Sequence, residues 1–135
     1  MSPCDDPSVF GVNKLRSPYS VKVTMDRISD ALLRKGATIF ARIDHAAAAQ
    51  QQDLSLPDTE LLIFGHPKLG TSLMNSAISI GLDLPLKVLA TVDCEQQVWL
   101  MFNNPHFLQL RHGFREDLIA PLQDIQFVLQ HALKD

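Results

Sequence analysis

Apolar and polar residues change period several times along this chain, and each change marks an element. Tyr19, Val21 and Val23 alternate with Ser20, Lys22 and Thr24, which predicts a half-buried strand. The period then lengthens. Met25, Ile28 and Leu32 share one helical face, with Thr24 as cap, Arg34 and Lys35 at the C-terminal end and Gly36 as the stop. A second strand is expected over 37–43, followed by a short alanine-rich helix over 44–52 with Asp44 as its N-cap. Residues 59–64 are more continuously apolar and read as an interior strand, and a helix over 71–80 ends at Gly81.

Two strands over 86–92 and 98–102 flank the short polar link Asp93-Cys94-Glu95-Gln96, the signature of a hairpin. Asn104 and Pro105 open the next helix as cap and first turn, and Gly113 closes it. Leu118, Leu122, Ile125, Leu129 and Ala132 recur at helical spacing, with Pro121 placing the regular start near residue 120. A hairpin requires antiparallel pairing. The class predicted is therefore α+β, not a doubly wound parallel sheet.

Length fits one domain: 135 residues can bury a single core. Residues 1–17 carry Pro3, Pro7 and Gly11 among scattered apolar positions and are expected to form a flexible leader, with the domain over 18–135. Deleting residues 1–16 would then leave the melting temperature little changed. A composition of 46% hydrophobic and 20% charged residues excludes a wholly disordered chain. A net charge of -3, with no Lys/Arg cluster denser than Arg34-Lys35, gives no reason to expect nucleic acid or a membrane surface as partner. Cys4 and Cys94 form no CxxC pair, which argues against a zinc site and for reduced thiols in a cytoplasmic chain. No run reaches the roughly 18 apolar residues a membrane helix needs, and the N-terminus lacks a signal peptide's pattern.

Gly65 and Gly70 have the spacing of a phosphate-binding loop, but Thr71 stands where that loop places its lysine. A nucleotide site is not expected; a weaker anion site on the amides near Gly70 and Thr71 is. Asp44 has a capping role, whereas His45 gains nothing from a helix start. His106 and His112 lie about 240° apart on one helix, so a single helix cannot aim both at one metal. Ser72 is not in a nucleophile elbow. Lys87 has the opposite parity to Leu86, Val88 and Ala90, and Asn103 shares the parity of Trp99 and Met101, which places both on a face able to line a pocket.

The stretches "FARIDHAAAA", "LLIFGHPKLGTSLM", "LDLPLKVL" and "MFNNPHFLQLRHG" stand in an order and spacing that resemble the bacterial and archaeal DUF302 family over about residues 19–133. The resemblance implies a TBP-like β-α-β4-α arrangement, a curved antiparallel sheet with helices on one face, and no assigned activity. It marks Asp44, His45, Lys87, Asn103, Asn104 and His112 as recurrent polar positions and Gly65, Pro67 and Gly70 as loop positions. Asn104 replaces the aspartate more usual there, which favours binding or structure over catalysis, since Asn caps a helix equally well.

Three functions remain open at this point. The first is a non-enzymatic domain binding a small ligand, an anion among the options, through His45, Lys87, Asn103 and His112. The second is an enzyme with His45 or His112 as general base beside Lys87. The third is an interaction module, with a homodimer open. The cofactor is left unknown by the sequence. Convergence of His45, Lys87 and His112 on one concavity favours either of the first two.

Overall fold

A computed structural model describes residues 9–134. Its elements are β1 (Val12–Ser17), α1 (Val21–Arg34), β2 (Thr38–Asp44), α2 (His45–Gln51), β3 (Thr59–Gly65), α3 (Pro67–Ser76), β4 (Leu86–Val92), β5 (Val98–Asn103), α4 (Pro105–His112) and α5 (Ile119–Ala132). Short 3-10 turns at Ile78–Leu82 and Glu116–Leu118 precede β4 and α5.

The strands form one sheet in the order β1-β5-β4-β3-β2, every neighbouring pair antiparallel. The α+β class is therefore as expected. Consecutive strands β1 and β2 occupy opposite edges, so α1 crosses the sheet between them, resting on β2, β3 and β4 and against α5. The buried stripe of α1 (Val21, Met25, Ile28, Leu32) meets Leu62, Phe64, Val88, Ala90, Val98 and Leu100 from the strands and Leu129 and Ala132 from α5. A second cluster, Leu73, Ile80, Leu108, Phe114, Leu118 and Leu122, joins α3, α4 and α5 beyond the sheet.

The N-terminal boundary differs from expectation. No strand runs over 19–24: Ser20 caps α1, its hydroxyl accepting from the Val23 amide at 3.2 Å, and Val21 already belongs to the helix. Tyr19, Val21 and Val23 alternate over too few residues to outweigh the longer stripe that begins at Val21. Thr24 is not a cap but a fully buried helical residue, its hydroxyl 2.6 Å from that of Ser17. The missing strand is β1, inside the expected leader, paired with β5 from Val12↔Asn103 to Ser17↔Val98. The leader boundary at residue 17 is thus corrected. Met1–Ser8, the remainder of that leader, lie outside the described residues. Phe10 stacks edge-on against Phe107 with ring centroids 5.3 Å apart.

At the β4–β5 hairpin, Asp93 accepts from the amides of Glu95 and Gln97, both at 2.9 Å, and from the Trp99 indole at 3.0 Å. These bonds, that from Gln97 foremost, hold its carboxyl below the usual carboxylate range. The expectation of reduced thiols concerns Cys94, in this turn, and Cys4, which lies outside the described residues.

Asp44 caps α2 as expected, accepting from the Ala47 amide at 2.9 Å. Because α2 buries no side chain, its first turn is held mainly by this cap. Asp44→Ala should cost about 1 kcal/mol in the local opening of α2, read as faster amide exchange at Ala47, with Asp44→Ser near wild type and His45→Ala neutral. Unchanged exchange in Asp44→Ala would remove the cap's role.

Candidate functional site

The expected site residues divide into two places. His45 is exposed at the start of α2, beside the end of β2 where Asp44 faces Glu60. Lys87 stands near the opposite end of the sheet, across from Ile63, so the strands hold the two apart. Lys87, Asn103 and His112 gather instead around the segment 83–87. The Lys87 ammonium donates to the Pro85 carbonyl at 2.9 Å, and Lys87, Asn103 and Asp83 border a small cavity of about 40 Å³. That volume holds little more than a water molecule.

His112 ends α4 with its side chain only 3% exposed. Its Nε2 lies 2.5 Å from Asp83 Oδ2 and its Nδ1 lies 2.8 Å from Ser79 Oγ. Arg111 Nη1 donates to the same Asp83 carboxylate at 2.9 and 3.1 Å. Neither Ser79 nor Asp83 was among the sequence-derived candidates. Each stands 29 or more residues from His112 in the chain, so spacing offered no signal; only the docking of α4 on the 78–82 turn joins them.

The glycine loop is not a loop. Gly65 ends β3 beneath the Phe40 ring, where an added Cβ would stand 2.7 Å from Cε2. Pro67 begins α3, four residues earlier than expected, because proline suits a first helical position. The Gly70 amide already donates within that helix, to the His66 carbonyl at 2.9 Å, and Thr71 lies within α3. The expected anion site of Gly65, Gly70 and Thr71 is therefore not formed.

Asn104 caps α4, its Oδ1 accepting from the amides of His106 at 2.8 Å and Phe107 at 3.4 Å. Its Nδ2 donates to Asn13 Oδ1 at 3.0 Å, tying α4 to β1. An ionised aspartate could cap but could not make that donation. Asparagine here has a structural reason that involves β1.

A far larger concavity lies elsewhere. A groove of about 1230 Å³ runs between α1, α3 and α5. Ala31, Leu32, Phe64, Leu69, Ile125 and Val128 give it an apolar lining. Around it stand Arg34, Lys35, Lys68 and Lys134, with Asp124 the one carboxylate among the lining residues. Arg27 is committed to the Ala132 and Lys134 carbonyls at 2.8 and 2.6 Å, and lies over the Tyr19 ring. The ammonium groups of Lys35, Lys68 and Lys134 enter no ion pair among the described residues. Lysines far apart in sequence thus form one basic rim, which a search for adjacent basic residues cannot detect. Among the described residues, no three of His, Cys, Asp or Glu are placed to hold a metal, and no helix is long and apolar enough to cross a membrane.

A family model described as domain of unknown function DUF302 matches residues 13–132. Fluoride-specific ion channel FluC 1 of Brucella suis biovar 1 (strain 1330) is 43% identical over 103 residues, 76% of this chain and 41% of that protein. Fluoride-specific ion channel FluC 2 of Brucella melitensis biotype 1 (strain ATCC 23456 / CCUG 17765 / NCTC 10094 / 16M) is also 43% identical over 103 residues, 38% of its length. The chain thus spans about two fifths of the curated relatives it matches. The crystal structure of an uncharacterized conserved DUF302 protein from Bacillus stearothermophilus superposes with a TM-score of 0.77, covering 93% of this chain and 97% of that one. At 16% identity the likeness is one of fold.

Proposed function

This chain belongs to the DUF302 family, and from that premise we propose that it binds a small apolar-bodied anion in the groove between α1, α3 and α5. The observation that carries the reading is the pairing of an apolar lining with a rim of lysines that enter no ion pair among the described residues. An alkyl or aryl body gains from leaving water along Leu32, Phe64, Ile125 and Val128, and a carboxylate or phosphate end meets Lys35, Lys68 or Lys134. The groove is larger than the about 300–1,000 Å³ typical of small-molecule sites because it opens to solvent along the helices.

Titration with laurate, followed by calorimetry, tests this. One site per chain is expected, with affinity reduced roughly tenfold or more by Lys35→Glu combined with Lys68→Glu, and dodecanol bound more weakly than laurate. Absence of laurate binding, or binding indifferent to charge reversal, refutes it.

A second reading rests on the relatives. In proteins named as fluoride-specific ion channels, a segment similar to this chain accompanies a longer remainder. On this reading the domain serves as a partner of such a channel. Disrupting its gene should then lower the host's fluoride tolerance; unaltered tolerance eliminates the reading.

A further inference from the structure

We propose that Ser79, His112 and Asp83 form a nucleophilic centre for acyl transfer, with Ser79 as nucleophile, His112 as base and Asp83 as the positioning residue. The assignment does not rest on the groove. Its first support is the chain of contacts from Asp83 through the His112 ring to Ser79. Asp83 accepts from Arg111 through both carboxylate oxygens. In the tautomer that carries its hydrogen on Nε2, toward Asp83, the His112 ring presents a lone pair at Nδ1. Ser79 Oγ lies 2.8 Å from Nδ1 and, in that tautomer, donates to it. The result is a serine hydroxyl on a base whose far nitrogen is held by a carboxylate. The two ring nitrogens exchange the roles they have in the chymotrypsin arrangement.

The second support is the division of exposure. The His112 side chain is 3% exposed and Asp83's 19%, so the base is fixed and shielded from water, while Ser79 is on the surface where a substrate can reach it. Its surroundings are apolar. Ile78 precedes it, and Leu82 lies three residues on, which in a 3-10 turn is the same face. Both are 78% exposed. This selects an ester or thioester with a small apolar acyl group.

In the step, Ser79 Oγ bonds to the acyl carbonyl carbon as its proton passes to His112 Nδ1. The bond from that carbon to the leaving oxygen or sulfur then breaks, and the departing group takes the proton from Nδ1. Water, giving a proton to Nδ1, attacks the acyl-Ser79 ester, and the proton returns to Oγ as the acid leaves. No oxidant or metal is consumed.

A fluorophosphonate probe followed by intact mass and peptide mapping tests the proposal. One adduct on Ser79 is expected and none on Ser79→Ala, whose folding is checked by its melting curve. His112→Gln and Asp83→Asn should label about 10²-fold more slowly. The Asp83→Asn amide can donate to Nε2 and so shift the ring hydrogen to Nδ1; Asp83→Glu should recover part of the rate. If His112→Gln does not fold, the Asp83 pair alone decides. No adduct on the wild type, an adduct on another hydroxyl, or labelling of Asp83→Asn at the wild-type rate would overturn the assignment. The last outcome would leave the three residues as a tie between α4 and the 78–82 turn.

Discussion

Removing residues 1–17 is expected to abolish the cooperative unfolding transition of this protein. The deletion takes away all of β1, and with it the ladder that pairs Val12–Ser17 with β5. Leu15 packs against the main core cluster, so its loss opens that core along one edge. The hydroxyl of Thr24, fully buried, loses its partner Ser17, and a buried polar group left unsatisfied costs about 1–3 kcal/mol by itself. Asn13 also bonds Gln126 on α5 and Asn104 at the start of α4, so the truncation removes one tie to each helix. Together these losses rival the whole stability of a small domain, about 5–15 kcal/mol. Thermal and urea melts followed by circular dichroism decide it. A sharp transition at the wild-type midpoint would show that β1 is dispensable.

Phe114→Ala is expected to cost about 3–5 kcal/mol, the range for emptying a large aromatic site in a packed core. Phe114 is 1% exposed and among the largest fully buried side chains, surrounded by Leu73, Ile80, Leu108, Leu118 and Leu122. Its backbone is held in place as well. Gly113 takes φ +74 to end α4, Gln109 Nε2 donates to the Phe114 carbonyl at 3.0 Å, and the Arg115 amide donates to Ser76 Oγ at 2.8 Å. These fixed neighbours limit collapse into the space left by the ring, which places the cost toward the upper part of the range. Urea denaturation should show a lower midpoint with an unchanged slope. A loss below about 1 kcal/mol would mean that the second cluster adds little to global stability.

The sequence by itself determined what depends on neighbours a few residues away. The buried stripe of α1, the β4–β5 hairpin, the caps at Asp44 and Asn104 and the left-handed stop at Gly113 are all of this kind. Each rests on a local hydrogen bond or on the period of one element, and both can be read along the chain. The tertiary structure decided the rest. Val12–Ser17 is a strand because β5 offers it an edge, and α1 starts where Ser20 and the core together place it. Phe114 sits between helices, where no periodicity marks a core position. His45 and Lys87 were kept apart by antiparallel register, whereas His112 met Ser79 and Asp83 through helix docking. The basic rim unites Lys35, Lys68 and Lys134 from three separate parts of the chain. Long-range pairs such as these are selected by burial summed over the whole core, so no single segment of sequence carries their signal.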